Sequence, residues 1–279
     1  MQFRGSITDS ELQRLRECPS RGLCPLKDIC AVSDEKSRRL VYPKMLQAKR
    51  GDLLWTTHYA EDRVLVFKSG VFLSVGHSSQ GREVPFCLYG TGNSVGLSDM
   101  FSSEENRSSY HLRTFISGEV CSFSADVIKR ELGSFPKNYT QALAVSALMN
   151  QCAGAFSLSM IKHQKSMADR VVALLYCLSD FTGRAGAAHE EFRITHEDIA
   201  MAVGSDRTTT TRALNKIVAN NVIEMRYGNV RLLPETLRDS DKTEEYHTNF
   251  IIPEVVNVGK DSLDRDRNIP DYGISYKML

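Results

Sequence analysis

The chain has 279 residues, with 35 Lys and Arg against 34 Asp and Glu. That length accommodates two ordinary domains with a sizeable core, and the even balance excludes a polycation, so any nucleic-acid surface must be local. No apolar run of the roughly 18 residues needed for a membrane span appears, and the polar stretch Met1 to Arg16 lacks the apolar core of a secretory signal. A cytoplasmic protein without a membrane partner is expected.

Residues 1–33 read as a Cys-containing arm, in which Pro19, Gly22 and Pro25 break the chain around Cys18, Cys24 and Cys30. A brief charged helix is expected around Asp34–Leu40. Residues 34–134 carry short apolar runs, Val64–Phe67, Val71–Val75 and Glu83–Tyr89, separated by turn signals at Ser69-Gly70, Gly76, Gly81, Gly90, Gly92 and Gly96. Such spacing predicts a compact β-roll or barrel. Residues 135–165 lack an internal break, and Val145, Met149, Cys152, Phe156, Met160 and Met167 recur at helical steps. A long helix with one apolar seam and small neighbours (Ala147, Ala153, Gly154, Ala155) predicts a homodimer interface, although packing on its own domain gives the same pattern. Residues 166–234 read as three helices and a hairpin. In the polar extension 235–279, Leu237–Tyr246 suits a helix and Asp261–Asp271 suits disorder or a draped segment.

The most specific pattern runs from Thr195 to Ile217. Thr195 suits an N-cap with Asp198 three residues on, Gly204 suits the turn, and Asp206 suits the cap of a second helix. On a wheel with Arg207 at zero, Thr211, Thr208 and Arg212 fall at roughly 40°, 100° and 140°, while Ala213, Ile217, Thr210 and Leu214 fall between roughly 240° and 340°. One face docks and the other offers two arginines and two threonines. Arg reads guanine bidentately, and Thr meets a base edge, a thymine methyl or a phosphate. After Asn221, Val222 to Leu233 reads as two strands around a Tyr227-Gly228-Asn229 turn, in which Gly228-Asn229 suits a tight hairpin pair, a wing whose Arg226 and Arg231 suit phosphate. Arg207, Thr208, Thr211 and Arg212 are therefore the candidate DNA-binding residues, on double-stranded DNA with a roughly palindromic site. No P-loop, nucleophile elbow or His-Glu-x-x-His stands in the chain, so a non-enzyme is expected.

Residues 48–233 resemble the CRP/FNR regulators. The resemblance rests on Lys49-Arg50-Gly51-Asp52, Lys68-Ser69-Gly70, Gly81-Arg82-Glu83, Gly92 to Gly96, Arg113-Thr114 and the Arg207 to Arg212 frame, in the family's order. It implies an α+β architecture: a cyclic-nucleotide-binding-like β-roll, a long dimerisation helix and a C-terminal winged helix-turn-helix. It also implies RNA polymerase as a partner, and places Arg207, Thr208 and Arg212 at base-reading positions. Members commonly carry Glu where Thr208 stands, so the usual operator is not expected.

Cyclic-nucleotide members hold the ribose with a Glu after the glycine matching Gly96. Leu97 stands there instead, and Arg107-Ser108 alone leaves that site incomplete. The FNR branch binds an iron–sulfur cluster through N-terminal cysteines and one from the roll. Cys24 and Cys30 keep the gap of that branch's last pair, and Cys121 matches its internal cysteine. Cys18 departs from the usual gap, though its six steps to Cys24 reach up to roughly 20 Å and leave the loop slack. The resemblance implies a 4Fe–4S cluster on Cys18, Cys24, Cys30 and Cys121 and a regulator sensing oxygen or redox state. The same spacing admits zinc or a thiol switch, with a small organic ligand as the remaining alternative. Cys87, Cys152 and Cys177 read as small buried apolar residues, and His77 and His111 lack a haem-attachment pattern.

Overall fold

The structure is a computed structural model and describes residues 18, 20–30, 41–55, 63–81, 83–101, 110–183 and 191–233. The expectations for Asp34–Leu40, Arg107-Ser108, Leu237–Tyr246 and Asp261–Asp271 lie outside these residues.

Eight strands form the roll: β1 (Lys44–Ala48), β2 (Leu53–Trp55), β3 (Arg63–Phe67), β4 (Val71–His77), β5 (Glu83–Tyr89), β6 (Ser94–Val95), β7 (His111–Ile116) and β8 (Gly118–Ser124). They make two antiparallel sheets, ordered β1-β8-β3-β6 and β2-β7-β4-β5. Alternation along each strand sends every second residue between the sheets. Leu65, Phe67, Phe72, Tyr89, Leu112 and Val120 fill that inner layer, with Phe67 stacked on Phe72 at 4.2 Å between ring centroids. The outward residues are apolar too: Val64 and Val66 on one side, and Val71, Leu73 and Val75 on the other, all buried.

Helices cover both outer faces. α1 (Ala125–Leu132) and the first half of α2 (Lys137–Lys162) pack with Leu26 and Ile29 of the arm over Val64, Val66 and Phe123. The second face lies under Leu158 and Ile161 of α2, and under α3 (Met167–Gly183). That same core continues through α4 (His196–Val203), α5 (Arg207–Ala219) and the small sheet β10-β11-β9, formed by β9 (Glu191–Arg193), β10 (Ile223–Arg226) and β11 (Asn229–Leu232). The roll and the helix-turn-helix unit thus share one hydrophobic core.

α2 has two faces with different fates. Leu143, Ala147, Gly154, Leu158 and Ile161 are buried against the roll. Val145, Leu148, Met149 and Phe156 are exposed, at 60, 53, 42 and 51%, and Cys152 is exposed between them. By length and composition α2 is apolar enough to cross a membrane, with a third of its apolar window buried inside the fold. Three readings need correction. Ala147 and Gly154 face the roll rather than the seam. Met167 begins α3 and packs into the shared core. Cys152 is not a buried apolar residue, because it points away from the sheet, whereas Cys87 and Cys177 are buried as expected.

Gly154 fixes the distance between α2 and the roll. A Cβ there would stand 2.0 Å from the Leu88 carbonyl oxygen and 2.8 Å from Cys87 Sγ. Gly154→Val should therefore push α2 off β5 and lower stability by about 1–3 kcal/mol or more, read as a reduced urea midpoint. A midpoint equal to wild type would mean that the helix rides farther from the sheet.

Candidate nucleic-acid interface and thiol cluster

α4 starts where Thr195 closes a capping box with Asp198: the Thr195 side chain accepts from Asp198 N–H, and the Asp198 carboxylate accepts from Thr195 N–H. Arg50, from the turn after β1, also reaches this carboxylate, with Nη1 to Oδ2 at 2.5 Å. One side chain thus starts a helix and ties the helix-turn-helix unit to the roll. Gly204 ends α4 in the left-handed conformation, at φ 70°, which only glycine adopts cheaply. The chain then turns into α5, where Asp206 accepts from Thr209 N–H at 2.8 Å.

α5 presents the two expected faces. Thr210, Ala213, Leu214 and Ile217 are buried, and Arg207, Thr208 and Arg212 are exposed on the other side. Thr211 is less available than its wheel position suggests. Its hydroxyl donates to Arg207 O at 2.8 Å and sits 2.9 Å from His196 Nδ1. With its own proton so placed, it accepts from the imidazole. A base contact by Thr211 would have to use its methyl group or break that pair. His196 was not singled out from the sequence, since only the turn of the chain brings it against α5, fifteen residues on.

The wing differs from its expected form in two respects. The tight turn is Tyr227-Gly228, both with positive φ at 49° and 81°, and Arg226 pairs with Asn229 across it. Two left-handed residues make the turn whose twist suits a hairpin, and Gly228 supplies the second of them one step earlier than a Gly-Asn turn would. A third strand, β9, adds Phe192 opposite Val230; its three residues are too short for a periodic signal. Arg226 is exposed and pairs with Glu224 at 2.5 Å.

The four candidate ligands share one neighbourhood. Cys24, Cys30 and Cys121 pack against the core formed by the arm, β3, β8 and α2. Burial pushes the Cys24 thiol up to about 12, with Leu26 N–H pulling the other way and Cys30, Cys121 and Cys18 adding to the rise. Burial likewise raises Cys30 to about 11, and Cys18 adds to it while Arg21 opposes it. Cys121 is raised to about 12, first by burial, then by Cys30 and Cys18, with Lys68 opposing. Cys18 Sγ lies 3.3 Å from Ser20 Oγ, and Cys121 points its thiol at Met45 Sδ at 3.6 Å. Among the described residues, no group of three or more His, Cys, Asp or Glu side chains is set to hold a single ion. The thiols are charge neighbours spread around a common region, and a multi-iron cluster needs ligands farther apart than one ion does. The donor set, four thiols with Arg21 and Lys68 beside them, fits such a group.

Residues 169–239 match the family model of the Crp-like helix-turn-helix domain. A relative from Porphyra purpurea, described as an HTH-type transcriptional regulator (ycf28), is 26% identical over 123 residues, 43% of this chain. The chain spans about half the length of that relative, 51%. Among solved structures, the fold is similar to TTHB099, a CRP-family transcriptional regulator of Thermus thermophilus, with a TM-score of 0.56 at 15% identity over 72% of this chain and 96% of that one. It is also similar to FixK2 of Bradyrhizobium japonicum (TM-score 0.55, 14% identity, 73% and 96% covered). A crp/fnr-family regulator of Eubacterium rectale gives 0.52 at 21% identity, with 73% and 88% covered. The architecture is thus a mixed α/β fold of antiparallel sheets and helices with a Crp-like helix-turn-helix domain near its C-terminal side.

Thr195→Ala removes one half of the capping box and should lower stability by about 1 kcal/mol. Urea unfolding should show a lower midpoint with an unchanged m-value. No change would mean that Asp198, held by Arg50, keeps the helix start ordered unaided.

Proposed function

We propose that the chain is a dimeric, DNA-binding transcription regulator of the CRP/FNR type, governed by an iron–sulfur cluster held on Cys18, Cys24, Cys30 and Cys121. The observation that supports DNA reading is the α5 face, on which Arg207, Thr208 and Arg212 stand exposed opposite a buried apolar side. Two copies joined along Val145, Leu148, Met149, Cys152 and Phe156 would cover the exposed stripe of α2 and set two reading helices on half-sites about one helical turn apart. The arginines then take base edges, and the wing lies alongside the backbone. An operator selected from a random duplex pool provides the test. Arg207→Ala and Arg212→Ala should each weaken binding by about 1–3 kcal/mol and relax the preference at one base position. Retention of both affinity and preference in the two variants would remove α5 from the reading role.

For the sensing half, the supporting observation is that Cys24 and Cys30 of the arm and Cys121 of β8 pack against one core, with Cys18 close enough to act on their charge. Leu26 and Ile29 are the arm's buried apolar anchors, in one cluster with residues of β3, α1 and α2. When bound, an iron–sulfur cluster would supply an oxygen-labile cross-link between the arm and β8. The chain's own residues carry the consequence onward. Tyr139, in the first turn of α2, donates to the Asp28 carboxylate of the arm at 3.3 Å, and Leu26 and Ile29 lie in one core with Leu143 and Ala147 of α2. Fixing the arm thereby fixes the helix whose other face forms the seam. A shift from mostly inactive to mostly active needs about 5.5 kcal/mol of bias between the two states.

Single Cys→Ser variants prepared without oxygen test the cluster. Visible absorption, iron and sulfide should be lost at Cys18, Cys24, Cys30 and Cys121, and kept at Cys87, Cys152 and Cys177. A colourless, iron-free wild type would overturn the cluster. Zinc in its place would turn the site into a metal switch, and reversible oxidation of metal-free thiols would turn it into a thiol switch.

A further inference from the structure

A cleft of about 680 Å³ lies where the roll meets the helix-turn-helix unit, well away from the four thiols. Its floor is the start of β5, its back is the end of α2 and the start of α3, and its far side is the turn from Gly204 to Asp206. Val84, Pro85, Met167 and Met201 give it apolar walls. Its volume lies in the range of small-molecule sites.

The charges in the cleft are unevenly matched. Both of its acids are engaged: Glu83 holds Arg113 at 2.7 Å, and Asp206 caps α5 through Thr209 N–H and Oγ1, at 2.8 and 2.7 Å. Among the described residues, its two cations meet carbonyl partners. Lys162 Nζ donates to Pro85 O at 2.7 Å, and Arg170 Nε donates to Gln164 O at 3.3 Å. Among the described residues neither has a carboxylate partner. A lysine in the last turn of a helix ordinarily serves that helix's own C-terminal carbonyls. Lys162 instead turns across to β5, and its stem lies 3.8 Å from the position of a Cβ at Gly204. Half-buried, it has its proton affinity lowered by desolvation, and no carboxylate among the described residues pairs with it.

We propose that this cleft binds a small organic anion, a carboxylate or a phosphate ester, between Lys162 and Arg170, and so ties the helix-turn-helix unit to the β-roll. The guanidinium offers a planar fork and the ammonium a point charge, a pair suited to a carboxylate or phosphate head. Apolar walls accommodate the carbon skeleton. A DNA backbone is the poorer occupant, because Lys162 is half-buried inside the cleft rather than on the reading face. The anion contacts β5 through one wall and the Gly204 to Asp206 turn through the other. Its occupancy therefore favours the docked arrangement of α5 over any in which the unit swings away. The inference does not rest on the cluster.

Calorimetry on the full chain at low salt tests it, with citrate as the carboxylate probe and inorganic pyrophosphate as the phosphate probe. At least one should bind with an affinity that falls as salt rises, and which of the two does so identifies the head group. Lys162→Met and Arg170→Gln should each weaken binding tenfold or more, whereas Lys165→Met, a neighbouring exposed cation, should leave it unchanged. Met201→Glu, which places a competing carboxylate in the cleft, should abolish binding while keeping the circular dichroism of the wild type. Absence of binding by both anions at millimolar concentration would overturn the proposal. Equal binding by all variants would also overturn it, as would a loss of operator affinity in Lys162→Met with anion binding intact.

Discussion

A strand has two faces, and in β3 and β4 both are apolar. Phe67 and Phe72 fill the space between the sheets, while Val64 and Val66 on one strand and Val71, Leu73 and Val75 on the other look outward and are equally buried. A roll made this way cannot stand in water unless something covers it on each side. The arm with α1 and the start of α2 supplies one cover, and the end of α2 with α3 supplies the other. α2 crosses from the first cover to the second, so whatever fixes the arm acts on the same helix that seats the helix-turn-helix unit.

The sequence made the architecture readable because its strongest signals are local. Gly204 with Asp206 marks a turn between helices, and Thr195 with Asp198 marks a helix start; both are decided within a few residues and both appear as read. The long helix was equally legible, with its observed bounds a few residues inside the expected ones. What escaped notice depends on distant partners. The apolar residues of α2 form two stripes, and composition alone does not say that Gly154 belongs to the roll and Cys152 to the open side. β9 is three residues long and has meaning only beside β11. The wing's turn is legible as Tyr227 to Asn229, but that Tyr227-Gly228 rather than Gly228-Asn229 forms its tip is set by register, which depends on both strands together.

The candidate site was partly legible for the same reason. The exposed face of α5 follows from helical geometry, so Arg207, Thr208 and Arg212 were identified by periodicity alone. The engagement of Thr211 by His196, and of Asp198 by Arg50, joins residues fifteen and about one hundred and fifty positions apart, which no periodicity encodes. The thiols lie between these cases. Three crowd one short stretch and are conspicuous, whereas Cys121 joins them only because β8 runs beneath the arm.

The shared core has a consequence for modularity. Regulators are often pictured as interchangeable heads and tails, joined by a hinge that transmits little but position. Here Leu174, Leu178 and Phe181 of α3 lie in one packed layer with Val71, Leu73 and Leu88 of the roll. Neither half is finished at its boundary. Grafting this helix-turn-helix unit onto a foreign domain would leave an oily surface without its mate, and a chimera would have to import the outward side of β4 and β5 to stay in solution. In this chain the unit of inheritance is the joint, rather than the two pieces it connects.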